Sequence, residues 1–455
     1  MNSFDVFDTL LARRFVTATP LFNQIETETK IPDFVARRTA ADNGARSLAE
    51  IYTAAGLPTA VMERELQLEY ENAIPIKRNL QLVAHGDLLI SDMYMSAEDI
   101  LRMVRGIGLD RQVTIFQSNK GKSSGEVWRR LLGVKPDRHL GDNAHSDYNL
   151  PKSMGFICEL YHAAKLTRSE VTVMEAGLPL LACLMREIRL GATAAQYTEF
   201  FRIACQLNLP WLFVTCELLR RRHSEKLTFL GRDCQLLSRI FNAYFGPCYY
   251  LPFSRRVVYA QPAQAVAFLQ ANMPQDGLLI DLSSTGASWE KLGPGIRVEA
   301  IVYSDVNYYT PERPRLPAGF SFLTRNSECG QTNELIEIFN CGDHGYLESI
   351  EALGEGLMAA KFGPLQLDPG LIESIHAPLR AAEVLAPIYR DRLAAELGRV
   401  PAAHLSALFA AFAQELCVQE HLMPHLVEYL EREAEYKTLL NARAQPASQR
   451  ELATA

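Results

Sequence analysis

The sequence predicts an α/β protein in three parts: a parallel-sheet domain carrying a helical insert, a second α/β domain, and a helical C-terminal segment. Three observations predict it. Short apolar runs alternate with amphipathic stretches over residues 1–165 and again from 226, the pattern of parallel sheets covered on both faces. The stretch between the first two runs, about 12–85, is helical in pattern, as VMERELQLEYE at 61–71 illustrates, and is far too long for a plain loop. Residues 365–440 are rich in Ala, Leu and Glu and are again helical in pattern.

The elements follow in order. FDVF at 4–7, DLLIS at 87–91, VTIF at 113–116 and HLGD at 139–142 are the strands of the first sheet, and its domain is expected to span 1–165. Residues 168–222 are helical, broken at Gly177-Leu178-Pro179 and at Gly191, and lead into a domain expected to span 166–360. Its strands are KLTFLG, CYYLPFS, GLLIDLSS and VEAIVYSD, and FLGRDCQLLSRIF passes from strand to helix. A helical segment and tail occupy 361–455, and the final QPASQRELATA is expected to be disordered.

Composition bounds the function. At ~150 residues per domain, 455 residues make about three domains. Apolar residues at 48% and charged residues at 22% exclude a disordered chain, a collagen-like repeat and a small disulfide scaffold. A net charge of −7 counts against a general nucleic-acid binder. No apolar run approaches the ~18 residues that span a bilayer. The start, MNSFDVFDTL, lacks a basic region followed by an apolar core, so no signal peptide is expected. Nine scattered cysteines with no CxxC pair fit reduced thiols in the cytoplasm.

Chemistry gathers first at the strand ends of the first domain. Asp5 lies in FDVFDTLL, Ser91 ends LLIS, Lys122 lies in SNKGKSSG, and Asp142 and Asp147 lie in HLGDNAHSD. Carboxylates at the C-terminal ends of parallel strands converge on one crevice, where their mutual repulsion calls for a hard cation such as Mg²⁺. A carboxylate there can attack phosphorus, while a hydroxyl and an ammonium hold the transferring oxygens. This order resembles the haloacid dehalogenase (HAD) superfamily over the whole first block. The resemblance implies a Rossmann-like domain with a helical cap, Asp5 as nucleophile, Ser91 and Lys122 as phosphoryl ligands, and Asp5, Asp142 and Asp147 as Mg²⁺ ligands. The family's general acid stands two residues after the nucleophile, where this chain has Phe7. Asp8 follows, and either reaches the leaving oxygen from a bulged loop or only shapes the turn.

A second constellation lies in GLLIDLSSTGASWEKL. An apolar run ends in Asp281, a small-residue loop follows through Ser283, Ser284, Thr285, Gly286, Ala287 and Ser288, and a helix is expected after it. Backbone N–H groups, hydroxyls and a helix start make a phosphate cradle. This resembles the signature of type I phosphoribosyltransferases, with Leu282 where the family has a second acid. The resemblance implies that Asp281 binds ribose hydroxyls and that 284–288 bind a 5-phosphate. The resemblance further implies that GRD sets Arg232 and Asp233 beside a diphosphate, with Arg255 and Arg256 of SRR, whose planar forks suit it, nearby. Asp233 either holds a bridging Mg²⁺ or orients Arg232.

The fusion resembles proteins of bacterial capsule and O-antigen synthesis. It implies a bifunctional enzyme that transfers ribosyl 5-phosphate from phosphoribosyl diphosphate (PRPP) to a surface-glycan acceptor, free or lipid-linked, and then removes the 5-phosphate. The expected location is cytoplasmic, in solution or peripheral at the inner membrane, beside other glycan-assembly enzymes. The alternative is a HAD-type sugar phosphatase whose second domain only binds a glycan or partner. An acceptor base is sought in NELIEIFNCGDHGYLES, among Glu334, Glu337, Asp343 and His344. Glu334 and Glu337 share a helix face that is equally a solvated one, and Glu337 is the choice. His421 with His425, Tyr308-Tyr309, the pair Phe320 and Phe322, and the run Arg220-Arg221-Arg222 are taken as structural.

Overall fold

The computed structural model describes residues 1–293, 295–304, 316, 318–326, 334–354, 357–365 and 367–427, without the side chains of Glu420, Met423 and His425. Tyr308-Tyr309, Asp305 and the tail 445–455 lie outside the described residues. The chain is an α/β protein with two parallel five-stranded sheets and a long C-terminal helical segment. It divides into two units, one of residues 1–171 with 186–197, the other of 172–185 with 198 onward.

In the first unit the chain runs β1 (Ser3–Asp5), β2 (Leu11–Arg13), β3 (Ala73–Pro75), β4 (Leu88–Ser91), β5 (Thr114–Gln117), β6 (His139–Gly141) and β7 (Cys158–Leu160). The sheet order is β5-β4-β1-β6-β7, every neighbour parallel. The chain moves outward from β1 through β4 to β5, then returns to β6 on the other side of β1. The order therefore reverses between β1 and β6, and a crevice opens at their C-terminal ends. The expected strands are present, and β7 was not expected. The insert is four helices, Thr19–Thr29, Phe34–Ala41, Leu48–Ala55 and Thr59–Asn72. It joins the core through the antiparallel pair β2–β3, with Leu11 opposite Pro75 and Arg13 opposite Ala73. Its own core includes Leu21, Ile25, Phe34, Tyr52 and Leu68. Within it the buried Arg38 pairs with buried Glu65 at 2.8 Å, and Tyr52 donates to the same carboxylate at 2.8 Å.

In the second unit β8 (Leu227–Leu230), β9 (Tyr249–Leu251), β10 (Leu278–Ser284), β11 (Val298–Tyr303) and β12 (Phe320–Arg325) form a sheet of order β12-β11-β10-β8-β9, again all parallel. Here the reversal falls between β8 and β10. An antiparallel hairpin, β13 (Leu347–Gly354) and β14 (Leu357–Phe362), follows the helix Glu334–Phe339. The helices Pro369–Arg399 and Ala402–Cys417 complete the unit. Asp368 caps the first of these, accepting from the N–H groups of Gly370 (2.8 Å) and Leu371 (3.1 Å), with Pro369 at its first position. Among the described residues no single helix is long and apolar enough to cross a membrane.

One buried cap ties distant parts of the second unit. Glu396, 5% exposed, accepts from the backbone N–H of Leu180 at 2.9 Å and of Leu181 at 3.3 Å, in the first turn of the helix Pro179–Leu190. Those N–H groups have no intrahelical acceptor. Glu396→Ala strands them away from water and is expected to cost about 1–3 kcal/mol in urea unfolding, with Glu396→Gln losing clearly less. Equal midpoints for the Ala variant and the wild type would rule this cap out.

Candidate functional sites

Asp5 is the last residue of β1, and the register Phe4 to Leu140 sets it level with the end of β6. Ser91 ends β4, and Lys122 sits in the turn after β5. Asp142 follows β6 directly, and Asp147 lies in the helical turn Ala144–Asn149. All five line one open cleft, together with Phe7, Asp8, Arg13, Asp92 and Lys120. The sequence named each of the five as phosphoryl or metal ligands, and the fold brings them together.

Lys122 is buried, and its ammonium donates to Asp5 Oδ1 and reaches Asp147 Oδ1 at 2.8 Å. Thr9 donates to the other Asp5 oxygen at 3.1 Å. Burial alone would lower the lysine, but Asp5 and Asp147 outweigh it and hold Lys122 above its ordinary value. Burial pushes the Asp5 carboxyl up, and the charges of Asp147 and Asp142 add to that against the pull of Lys122. Asp142 is pushed up to about 6 by burial and by the charges of Asp8 and Asp147. Asp147 goes the other way, because a hydrogen bond from His139 and the Lys122 charge overcome its burial. Burial lowers the His139 ring against the pull of Asp147, and the ring bridges Asp147 Oδ1, 3.3 Å from Nε2, and Ser3 Oγ, 2.9 Å from Nδ1.

One oxygen from each of Asp5, Asp142 and Asp147 lies within 4.8 Å of the others, so this group could hold a metal ion. The donors are hard carboxylate oxygens whose charges already crowd each other, and a hard divalent cation fits them. Four supporting residues were not foreseen. Asp92 accepts from the N–H groups of Lys122 (2.8 Å) and Ser123 (2.9 Å) and from Ser118 Oγ (2.6 Å), fixing the turn that carries Lys122. Its only sequence signal is its place one residue past the strand-end Ser91. Gly141 faces Asp147 so closely that a Cβ there would lie 2.4 Å from Asp147 Cγ. His139 and Arg186 carry no signal beyond residue type.

Asp8 lies in the same cleft in a left-handed conformation, φ 55°. Its N–H donates to Leu11 O at 2.6 Å, closing a tight turn. Arg186, 2% exposed, donates to Asp8 Oδ1 at 3.1 Å. Burial pushes the Asp8 carboxyl up, against Arg186 and Arg13. The Phe7 ring meets the Arg13 guanidinium at 5.1 Å, and Arg13 is in turn clamped by Glu69 at 2.8 Å.

The second cleft opens at the switch between β8 and β10. Arg232, Asp233, Arg255, Asp281, Ser283, Ser284, Thr285, Ser288 and Glu337 line it, with Phe253, Trp289 and Tyr346. Arg256 is not among the lining residues and pairs with Glu348 at 3.3 Å, and Gly286 is not among them either. Gly231, at φ 78°, turns the chain out of β8, and a Cβ there would lie 3.0 Å from Asp233 Oδ1. Tyr346 lies under Arg232, ring centroid to guanidinium 4.1 Å, and receives a hydrogen bond from its Nη2 at 3.0 Å. Trp289 Nε1 donates to Asp281 Oδ2 (3.2 Å) and Ser284 Oγ (3.1 Å) and its ring stacks on Phe253. Burial pushes Asp233 up, reinforced by the charges of Glu337 and Asp281. Asp281 is pushed up to about 6 by burial, with Arg255 pulling against it.

The expected strand GLLIDLSS is present, and the loop over 283–288 is shorter than expected. β10 continues to Ser284, which pairs with Tyr303 of β11, and the connection is Thr285-Gly286 before a single turn, Ala287–Glu290. The pairing with β11 holds the two serines in extended backbone, so they reach the cleft from a strand end rather than from a loop. Of the four acceptor-base candidates, only Glu337 lines the cleft. Asp343 accepts from Gln235 at 2.8 Å, and His344 bonds Tyr250 and packs on Phe362. His421 bonds Glu199 at 3.1 Å. Every described cysteine is a free thiol.

No family model matches this chain, and no curated protein matches it in sequence.

Proposed function

We propose that the chain is a bifunctional enzyme of glycan assembly. The second cleft transfers ribosyl 5-phosphate from PRPP to an acceptor hydroxyl. The first, a HAD-type site, hydrolyses the 5-phosphate from the product. What carries this reading is that each sheet presents acids and phosphate-binding groups together at its own switch point, where open α/β sheets bind ligands.

At the first site Asp5 attacks phosphorus and forms an aspartyl phosphate, which water then hydrolyses. Lys122 and Ser91 hold the phosphoryl oxygens where charge develops. Asp5, Asp142 and Asp147 would hold Mg²⁺, which supplies charge neutralisation for the incoming phosphate. At the second site Arg232 and Arg255 bind the diphosphate bidentately, Asp281 accepts from ribose hydroxyls, and Ser283, Ser284, Thr285 and Ser288 offer hydroxyls to the 5-phosphate. Glu337 takes the acceptor proton. The raised Asp233 carboxyl fits a group awaiting a cation that the diphosphate brings with it.

Calorimetry with PRPP and Mg²⁺ tests the donor half without knowledge of the acceptor. Asp281→Ala is expected to weaken binding roughly 10- to 100-fold, the loss of about 1.5–3 kcal/mol of charge-assisted hydrogen bonding. Well-folded wild type that binds no PRPP would overturn the transferase and leave a sugar phosphatase whose second domain binds a glycan or partner.

A further inference from the structure

The first cleft holds an acid where the HAD pattern has none. Phe7 occupies the usual place, and its ring packs against Arg13. The next residue, Asp8, is turned into the cleft by its left-handed backbone. A non-glycine residue held at positive φ is uncommon, and the fold sustains this one with the Asp8–Leu11 backbone bond and the Phe7–Leu11 bridge. Arg186 then fixes the carboxyl. It is far along the chain, on the helix Pro179–Leu190, and almost wholly buried. Its Nε donates to Ala164 O (2.9 Å) and its Nη1 to Arg13 O (2.8 Å), leaving Nη2 aimed at Asp8 Oδ1 (3.1 Å). A guanidinium anchored on two backbone carbonyls is a rigid support. It engages Asp8 through Oδ1.

We infer that Asp8, oriented by Arg186, is the proton donor to the leaving group, and that the first site is therefore built for phosphate monoesters of alcohols. This rests on the phosphatase reading above. In the first step Asp5 Oδ bonds phosphorus, the P–O bond to the sugar breaks, and the departing alkoxide takes the proton from the Asp8 carboxyl. In the second, water attacks the aspartyl phosphate, its proton passes to the Asp8 carboxylate, and the P–O bond to Asp5 breaks. Phosphate leaves, and both carboxyls return to their starting states. An aryl ester such as p-nitrophenyl phosphate needs no proton to depart, whereas a sugar phosphate does. Asp8 is thus a catalytic residue and Arg186 a positioning one.

The test compares ribose 5-phosphate with p-nitrophenyl phosphate on the full-length protein with Mg²⁺. Asp8→Asn is expected to lower kcat on ribose 5-phosphate by about 10²- to 10⁴-fold and kcat on p-nitrophenyl phosphate by less than about tenfold. Arg186→Gln is expected to show the same selective loss in kcat with KM little changed, and Arg186→Lys to recover part of it. Equal losses on both esters, or no loss on either, would overturn the role of Asp8. Should Arg186→Gln unfold, the Asp8 variant alone decides. A folded wild type inactive on both esters would sink the phosphatase reading itself, and this inference with it.

Discussion

Asp5→Asn is expected to lower phosphate release by about 10³-fold or more while leaving the protein as stable as before, or more so, at neutral pH. The two effects have one cause. Burial holds the Asp5 carboxyl well above its ordinary range, with Asp147 and Asp142 adding to the shift. The folded state therefore keeps a proton that the unfolded chain releases near pH 4. Between there and about pH 7 the folded form binds more protons than the unfolded one, so this group makes stability fall as pH rises. Amide replacement removes the proposed nucleophile and that fall together, and Lys122 retains Asp147 as its partner. Urea unfolding at pH 5 and pH 8 in chelator checks the second half. A steeper decline with pH in the variant than in the wild type would contradict it.

Gly141→Ala should be nearly as damaging without touching a reactive atom. The added methyl would sit 2.4 Å from Asp147 Cγ and 2.8 Å from Asp147 Oδ2. Asp147 is fully buried and held by Lys122, His139 and the Asn143 N–H (2.9 Å), so it has no free direction in which to yield. The usual gain from stiffening the unfolded chain, about 0.4–1 kcal/mol, is smaller than the cost of overpacking, about 1–3 kcal/mol. Mg²⁺ is expected to raise the melting temperature of the wild type, and Gly141→Ala is expected to be destabilised and to lose that rise. A variant that melts and responds to Mg²⁺ like the wild type would show that Asp147 is not needed where it stands.

The first cleft was largely legible because Asp5, Ser91 and Asp142 each stand at or just past the end of an apolar run, and strand ends converge by topology alone. What could not be read depends on tertiary approach. Arg186 looks like one more cation on an amphipathic helix until Arg13 O and Ala164 O are placed around it. Gly141 looks like any residue ending a strand until Asp147 is packed against it. In the second cleft Ser283 and Ser284 read both as the end of the strand GLLIDLSS and as the start of a small-residue loop, and pairing with β11 keeps them in the strand. Tyr346 and Trp289 were missed because an aromatic beside a turn carries no mark of facing an arginine or a carboxylate. The hairpin β13–β14 was missed because its residues lack a clean alternation of apolar and polar positions.

The two-stranded junction between β2 and β3 has a consequence for the insert. It brings the start and finish of the whole helical insert side by side, so to the sheet beneath it the insert resembles a short connection. Closing a long loop costs only about 0.6 kcal/mol more per doubling of its length. The insert also has its own apolar core and its own buried ion pair. It is therefore built as a cassette: an insert of another length closed by the same strand pair would leave Asp5 and the strand ends around it in place.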